Sequence, residues 1–177
     1  MQAAGHIRRG DVFFTAKEYG KARKAYEEAE RLAPGTEEGG YALMQAGRCC
    51  AQLKQCKKAI NSYKGFLGQY KTSSHAPDAL LRMAVVYISH IGDDSSGKKV
   101  LEILAKEYPD HEKAQTAMYY LATLDLWDKR WKQAKTRYLA LMERYPDTAY
   151  IPYITNTILP ELEGHTKGRR GDADKKE

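Results

Sequence analysis

Histidine and acidic side chains, which could bind a metal or transfer protons, are scattered along this sequence. The five histidines stand at positions 6, 75, 90, 111 and 165, and no pair has the His-x3-His spacing of a helical zinc site. Asp93 and Asp94 are neighbours, but the ligand spacing of an EF-hand calcium loop is absent, so a solvated turn is the better interpretation. The sequence therefore predicts no enzyme, no catalytic residue, no metal and no cofactor.

The three cysteines are the remaining candidates for chemistry. Cys49, Cys50 and Cys56 lie close together, but an odd count without C-x-x-C spacing argues against a disulfide framework and against a zinc site. Two adjacent helical side chains point about 100° apart, so Cys49 and Cys50 would share a tetrahedral metal poorly. We expect ordinary buried, reduced thiols.

Reduced cysteines and the start of the chain together indicate a location. Residues Met1–Arg9 carry two arginines and no apolar stretch, so no secretory signal is visible, and the apolar run Met83–Ile88 is too short to span a bilayer. These features predict a cytoplasmic protein without a transmembrane segment. A periplasmic or envelope-associated location stays open if an export signal was removed.

Basic residues in one segment account for the whole net charge. The formal charge is +6, and the stretch 39–77 holds six basic residues and no Asp or Glu. Its lysines form a candidate patch for an anionic partner, namely RNA, an acidic protein or an anionic membrane surface: Lys54, Lys57, Lys58, Lys64 and Lys71. Aromatic residues do not interleave with these lysines, which makes nucleic acid the less favoured partner. A merely solvated face is the alternative.

The elements that must position these side chains repeat along the chain. Four segments place a small residue one helical turn before a tyrosine or leucine: Ala22–Tyr26, Ala59–Tyr63, Gly97–Leu101 and Ala134–Tyr138. The first two are 37 residues apart, and so are the last two. Tyr-Pro-Asp triplets start at Tyr108 and Tyr145, again 37 apart. A fixed period of this length predicts a stack of repeated helix pairs.

The period divides the chain into helix pairs and a final single helix. We predict one repeat domain at 1–163, with pairs at about 3–36, 40–73, 77–111 and 115–148 and a capping helix at about 151–162 that covers the last exposed face. Pro160 should kink or truncate that helix. The loop Gly92–Ser96 is one residue longer than its counterparts. The charged segment 164–177 is predicted to be a disordered tail.

These motifs resemble the tetratricopeptide repeat family. The resemblance is carried by a small-x2-aromatic motif in first helices, Ala-x3-aromatic in second helices and a terminal proline: Gly10, Phe13, Ala22, Tyr26, Pro34, Leu43, Gly47, Ala59, Tyr63, Leu80, Ala84, Tyr87, Pro109, Leu121, Ala122, Ala134, Tyr138 and Pro146. Arg9, Cys50, Lys71 and Asp125 depart from the family pattern. The resemblance implies an all-α fold, a right-handed superhelix of about four helix pairs with a C-terminal capping helix.

A finer similarity concerns one second helix and the two Tyr-Pro-Asp endings. The phrase Ala59-Ile60-x2-Tyr63-x2-Phe66-Leu67 is similar to repeats of bacterial envelope proteins, such as the outer-membrane assembly lipoprotein and the Tol–Pal coordinator. This similarity implies a bacterial adaptor.

First helices of such an array line its concave groove, so their exposed positions predict a binding surface. These positions, which include aromatic, polar and basic side chains, are Phe14, Tyr41, Met44, Arg48, Gln52, Leu81, Tyr119, Thr123 and Trp127. Such a strip suits a peptide segment or a partner helix. We therefore predict a non-enzymatic protein–protein interaction module. Packing under the superhelical twist is the alternative for residues such as Leu81, and a structural subunit of a homo- or hetero-oligomer is another function that fits.

Overall fold

Each periodic stretch of the sequence forms a helix in the computed structural model, which describes residues 2–167. In that range the regular elements are all helical: α1 (Gln2–Thr15), α2 (Tyr19–Leu32), α3 (Glu37–Gln52), α4 (Cys56–Gln69), α5 (Ala76–Val85, continuing as a π-helix, Val86–Ile91), α6 (Asp94–Glu107), α7 (Glu112–Trp127), α8 (Trp131–Arg144) and α9 (Ile151–Tyr153, then a π-helix, Ile154–Ile158, then Leu159–Lys167). The predicted all-α class is therefore confirmed.

The predicted repeat domain divides into two compact units. The first comprises Met1–Val100 and the second Leu101–Glu177, so the boundary falls within α6. Helices α1 to α5 pack in sequence within the first unit, and α7, α8 and α9 pack within the second. Across the described residues, no helix is long and apolar enough to span a bilayer.

In the first, second and fourth pairs a tyrosine fills a notch on the preceding helix, and in the third pair the fully buried Leu101 stands at that position. Tyr26, Tyr63 and Tyr138 are at most 1% exposed. A Cβ atom added to Gly10 would lie 2.6 Å from the Tyr26 ring, and one on Gly47 would lie 3.0 Å from Tyr63. Only a small residue leaves room for the ring, which explains the small-residue positions of the motif.

The turn between the two helices of a pair has a repeated left-handed residue. Lys17, Lys54 and Lys129 have φ of 58–59°, and Gly92 has φ of 76°. The next residue donates its N–H back across the turn, as Gln55 does to the Cys50 carbonyl at 2.9 Å. This is the hydrogen bond of a Schellman cap. Three lysines adopt this conformation although a Cβ makes it costly, by about 1 kcal/mol or more.

The extra residue of the third pair lies in a helix rather than in the loop. Tyr87 follows Cys50 by 37 residues, whereas Gly92 follows Lys54 by 38, so the insertion falls between Tyr87 and Gly92. That segment is π-helical, and the cap donor Asp93 bonds to Tyr87, six residues back instead of five. The predicted long loop is therefore wrong. A π-turn absorbs one residue and leaves the following helix in register.

The last helix packs on α8, as a capping helix should. Ile154, Ile158 and Leu162 are buried in one cluster with Tyr138 and Leu141. Pro160 does not truncate it, since α9 continues to Lys167, five residues beyond the predicted end. The π-helical stretch just before Pro160 accommodates a residue that has no N–H to donate. Residues 168–177 of the predicted tail lie outside the described part of the chain.

Asp125 occupies a position where the repeat pattern has an aromatic residue. Its carboxylate is buried and pairs with Arg130 at 2.6 Å and Arg137 at 2.8 Å. Burial raises the pKa of Asp125 above its usual range, and the Arg137 guanidinium opposes that shift. The two arginines supply partners that a buried carboxylate requires, so this departure from the pattern is compensated locally.

The Gly10–Tyr26 contact predicts opposite effects for two glycines of α1. Gly10→Ala should lower the free energy of unfolding by about 1–3 kcal/mol, because its methyl group would overlap the buried Tyr26 ring. Gly5→Ala should raise it by about 0.5–1 kcal/mol, since nothing lies within 4 Å of that position and alanine favours helix. Urea unfolding followed by circular dichroism measures both. Equal effects of the two variants would contradict the notch.

The buried tyrosines predict a loss of stability at high pH. Burial raises the pKa of Tyr26, with a further contribution from Asp11, raises that of Tyr63, and raises that of Tyr138 to about 12. Unfolded tyrosines ionise near pH 10, so the native state loses stability as pH rises from there towards 12.

Urea unfolding at a series of pH values from about 9 to 12 tests this expectation. In Tyr138→Phe, the free energy of unfolding should fall less steeply with pH, by up to about 1.4 kcal/mol per pH unit, because one fewer proton is released on unfolding. Identical slopes for the two proteins would show that Tyr138 ionises equally in both states.

Candidate functional site

The first unit contains an open pocket between α1, the start of α2 and α3. Its volume is about 460 Å³, and its walls combine aromatic, polar and basic side chains: Asp11, Phe14, Thr15, Lys17, Tyr19, Tyr26, Tyr41, Gln45 and Arg48. Phe14, Tyr41 and Arg48 were predicted from the repeat register as partner-binding residues. The fold thus brings three of the predicted residues to one concave surface.

A stack of side chains forms one wall of this pocket. The Arg48 guanidinium carbon lies 4.1 Å from the centre of the Phe14 ring, and the Tyr19 ring meets Phe14 edge-on at 5.2 Å. Phe14 and Arg48 are both half-buried, so each is fixed by its neighbour but still reaches the surface. A cation over an aromatic face is an attractive arrangement that orients the guanidinium.

Hydrogen bonds fix the polar floor of the pocket. Tyr26 donates its hydroxyl to Asp11 Oδ1 at 2.6 Å, and the Thr15 hydroxyl donates to the Asp11 carbonyl at 2.9 Å. Gln45 is 8% exposed and also lines the pocket. A partner would therefore meet preformed polar groups, which lose little freedom on binding.

Tyr41, which lines the pocket, has its ring 5.5 Å from the His75 ring. The other predicted residues of the first unit, Met44, Gln52 and Leu81, do not line the pocket. Met44 is 3% exposed, so it belongs to the core and not to the predicted surface. Its position on α3 faces a packed neighbour, which sequence register alone did not reveal. Gln52 is exposed and Leu81 is half-buried, and neither is among the pocket-lining residues.

In the second unit, two of the three predicted residues hold helices together. The Tyr119 ring stacks on Tyr150 at 4.4 Å, and burial raises the Tyr119 pKa. The Thr123 hydroxyl lies 2.9 Å from that of Tyr138. Trp127, by contrast, is 64% exposed at the end of α7. Tyr119 and Thr123 therefore pack α7 against α8 and α9, and only Trp127 presents a free ring face.

All five lysines of the predicted anionic-partner patch are exposed. Lys57, Lys58 and Lys64 project from α4, Lys54 is in the turn before it, and Lys71 follows it. This patch lies on a second helix of the array, whereas the pocket is built mainly from first helices.

Sequence reasoning missed several side chains of the pocket, among them Tyr19 and Gln45. Tyr19 is the first residue of α2, and its ring packs on Phe14. Gln45 lies one turn after Tyr41 on α3 and was not predicted as a binding residue. The sequence signal that could have identified Tyr19 was an aromatic residue in the segment that joins α1 to α2.

The two buried thiols, Cys49 and Cys50, are not reactive. Burial raises the pKa of Cys49 to about 12 and also raises that of Cys50. A thiol with a raised pKa stays protonated near neutral pH and is a poor nucleophile. Over residues 2–167, no group of three or more His, Cys, Asp or Glu side chains is arranged to hold a metal ion.

Comparison with solved structures finds the same fold in proteins of low sequence identity. A tetratricopeptide repeat protein from Parabacteroides merdae superposes with a TM-score of 0.74 at 18% identity over 93% of this chain, which spans 61% of that protein. MamA from Desulfovibrio magneticus RS-1 gives 0.66 at 14% identity, covering 99% of this chain and 98% of that one.

A third similar structure is YrrB, a tetratricopeptide repeat protein reported to have an unusual peptide-binding site. Its TM-score is 0.61 at 16% identity, and the match covers 94% of this chain and 74% of YrrB. At these identities the three similarities establish the fold alone. A comparison with curated proteins gives no match.

The family profiles agree with the structural comparisons. Tetratricopeptide repeat profiles match residues 3–36, 78–111 and 116–148, more than half of the chain. The second pair, with Cys50 and Lys71 at two motif positions, is not matched by these profiles. Repeats of this kind form non-enzymatic scaffolds for protein–protein interaction. On its helix pairs, its notch tyrosines and these matches, the chain belongs to the tetratricopeptide repeat family.

Proposed function

We propose that this chain is a non-enzymatic interaction module whose first unit captures a peptide segment in the pocket between α1 and α3. The observation that carries the proposal is the convergence of Phe14, Tyr41 and Arg48 on one open, concave surface. Aromatic and arginine side chains that are partly buried yet accessible are the types that dominate binding energy in protein interfaces.

The size and lining of the pocket favour a peptide over a small cofactor. A volume of about 460 Å³ accommodates one or two side chains, and the pocket is open on one side, so the rest of a chain can continue past it. The Phe14 and Tyr41 rings suit an apolar anchor residue. Arg48 and Gln45 can donate hydrogen bonds to backbone carbonyls of the peptide.

A similar structure supports this choice of ligand class. YrrB, which shares the fold, is reported to bind peptides at an unusual site. Peptide binding is therefore compatible with this architecture. The finer resemblance to envelope-type bacterial adaptors remains a prediction about where such a module would work.

In the second unit, Trp127 is the candidate contact. Its exposed indole could add an aromatic anchor, whereas Tyr119 and Thr123 act by fixing α7.

Selection of peptides from a random display library on the purified chain provides ligands to test the pocket. For a selected peptide, Phe14→Ala and Arg48→Gln should each weaken binding by about tenfold or more, since each removes one side of the stack that meets the ligand. Val12→Ala is the matched control, because Val12 lies on the same helix, is 67% exposed and does not line the pocket. Fluorescence anisotropy measures the dissociation constants.

Thermal unfolding of each variant separates a binding effect from a folding defect. Trp127→Ala should leave the affinity of pocket-directed peptides unchanged. If selected peptides keep their affinity in both pocket variants, or lose it only in Trp127→Ala, the pocket is not the binding site.

A further inference from the structure

The exposed stripe of α4 differs in charge from the equivalent stripes of the other second helices. On α4 it carries Lys57, Asn61, Lys64 and Gly68, all exposed. The repeat register places the following exposed residues at the same positions of α2, α6 and α8: Gly20, Lys24, Glu27 and Arg31; Ser95, Lys99, Glu102 and Lys106; Lys132, Thr136, Leu139 and Glu143. Each of these three stripes includes a glutamate, and the α4 stripe has none.

Two of the glutamates in the other stripes lie near arginines. Glu27 is 3.7 Å from Arg23, and Glu102 is 3.6 Å from Arg137. Their counterpart on α4 is Lys64, and the segment 39–77 supplies no carboxylate at all. On α2 and α6 an exposed glutamate of the stripe lies near an arginine, whereas the segment that contains α4 has no carboxylate to balance its lysines. Because like charges on one helix repel, this arrangement contributes nothing to folding.

The distance between the α4 lysines determines the spacing of the carboxylates that could pair with them. Lys57 and Lys64 are two helical turns apart, about 10 Å along the axis. On this stripe, no long side chain projects between the two lysines or at the next position after Lys64. Asn61 has a short side chain, and a Cβ on Gly68 would have nothing within 4 Å. Carboxylates about 10 Å apart on one side of a chain occur seven residues apart on an α-helix or three apart in a polyproline II segment.

The side chains around the lysines favour one class of partner. The aromatic residues of α4 are interior: Tyr63 is 1% exposed and Phe66 is fully buried, so neither can stack on a base. No arginine, the residue suited to bidentate phosphate contacts, lies on α4. The exposed face of α4 also carries no large apolar side chain to enter a lipid surface.

We propose that the lysine stripe of α4 binds an acidic segment of a partner protein. The carboxylates of that segment pair with Lys57 and Lys64, with Lys54 and Lys58 adding to the local positive potential, and its backbone passes over Asn61 and Gly68. This surface lies on a second helix, apart from the Phe14–Arg48 pocket, so it stands independently of the peptide-binding proposal.

A fluorescently labelled oligoglutamate of about 20 residues is the probe, titrated into the full chain at low and at physiological salt. The double variant K57Q/K64Q should weaken binding by about tenfold, since each exposed ion pair contributes a few-fold. The matched control K99Q/K106Q removes the same charge from the equivalent stripe of α6 and should change binding by less than about twofold. Glutamine preserves helix propensity, and thermal unfolding checks the fold of both variants.

Three results would overturn the proposal. Equal weakening by the two double variants would mean that only the net charge matters. Tighter binding of single-stranded polyuridine of matched length, or of phosphatidylserine vesicles, through the same lysines would assign the stripe to a different partner. Absence of oligoglutamate binding at low salt would remove the site. Phe14→Ala should leave oligoglutamate binding unchanged, so failure of this proposal is distinguishable from failure of the pocket.

Discussion

The fit of a tyrosine ring into a notch on the preceding helix is the contact on which the helix pairs depend. Tyr26, Tyr63 and Tyr138 each lie 16 residues after a small residue, and each is almost completely buried. Such a ring buries a large apolar area, and its fit admits no added methyl group on the facing helix. The distance between the two helices of a pair is therefore set by glycine or alanine at one position, which is why that position tolerates so little change.

Register between repeats depends on a second local device, the left-handed cap between the helices of a pair. Lysine adopts it three times and glycine once, and in each case the next residue donates its N–H back across the turn. In the third pair a π-turn takes up the inserted residue before Gly92, so the next helix starts in phase. A helix that stays in phase keeps its small and aromatic residues facing the core and its variable residues facing solvent.

This separation of core and surface allows function to differ between repeats that fold alike. Phe14 and Arg48 occupy surface positions of first helices and create a pocket, whereas the same scaffold on α4 presents lysines. The departures from the family pattern follow the same logic. Asp125 sits in the core only because Arg130 and Arg137 accompany it, while Cys50 fills its aromatic position as a small buried residue.

Local pattern by itself determined the repeat period, the helices, the capping helix and the family, because helix periodicity and steric packing rules act over short spans of sequence. It also predicted that Phe14, Tyr41 and Arg48 share one surface, since register fixes the face on which a helical residue lies. Tertiary structure alone decided that Met44 is core, that Tyr119 is covered by Tyr150, and that Tyr19 and Gln45 join the pocket. Those outcomes depend on which neighbouring helix covers a given face, and contacts between helices join residues far apart in the chain.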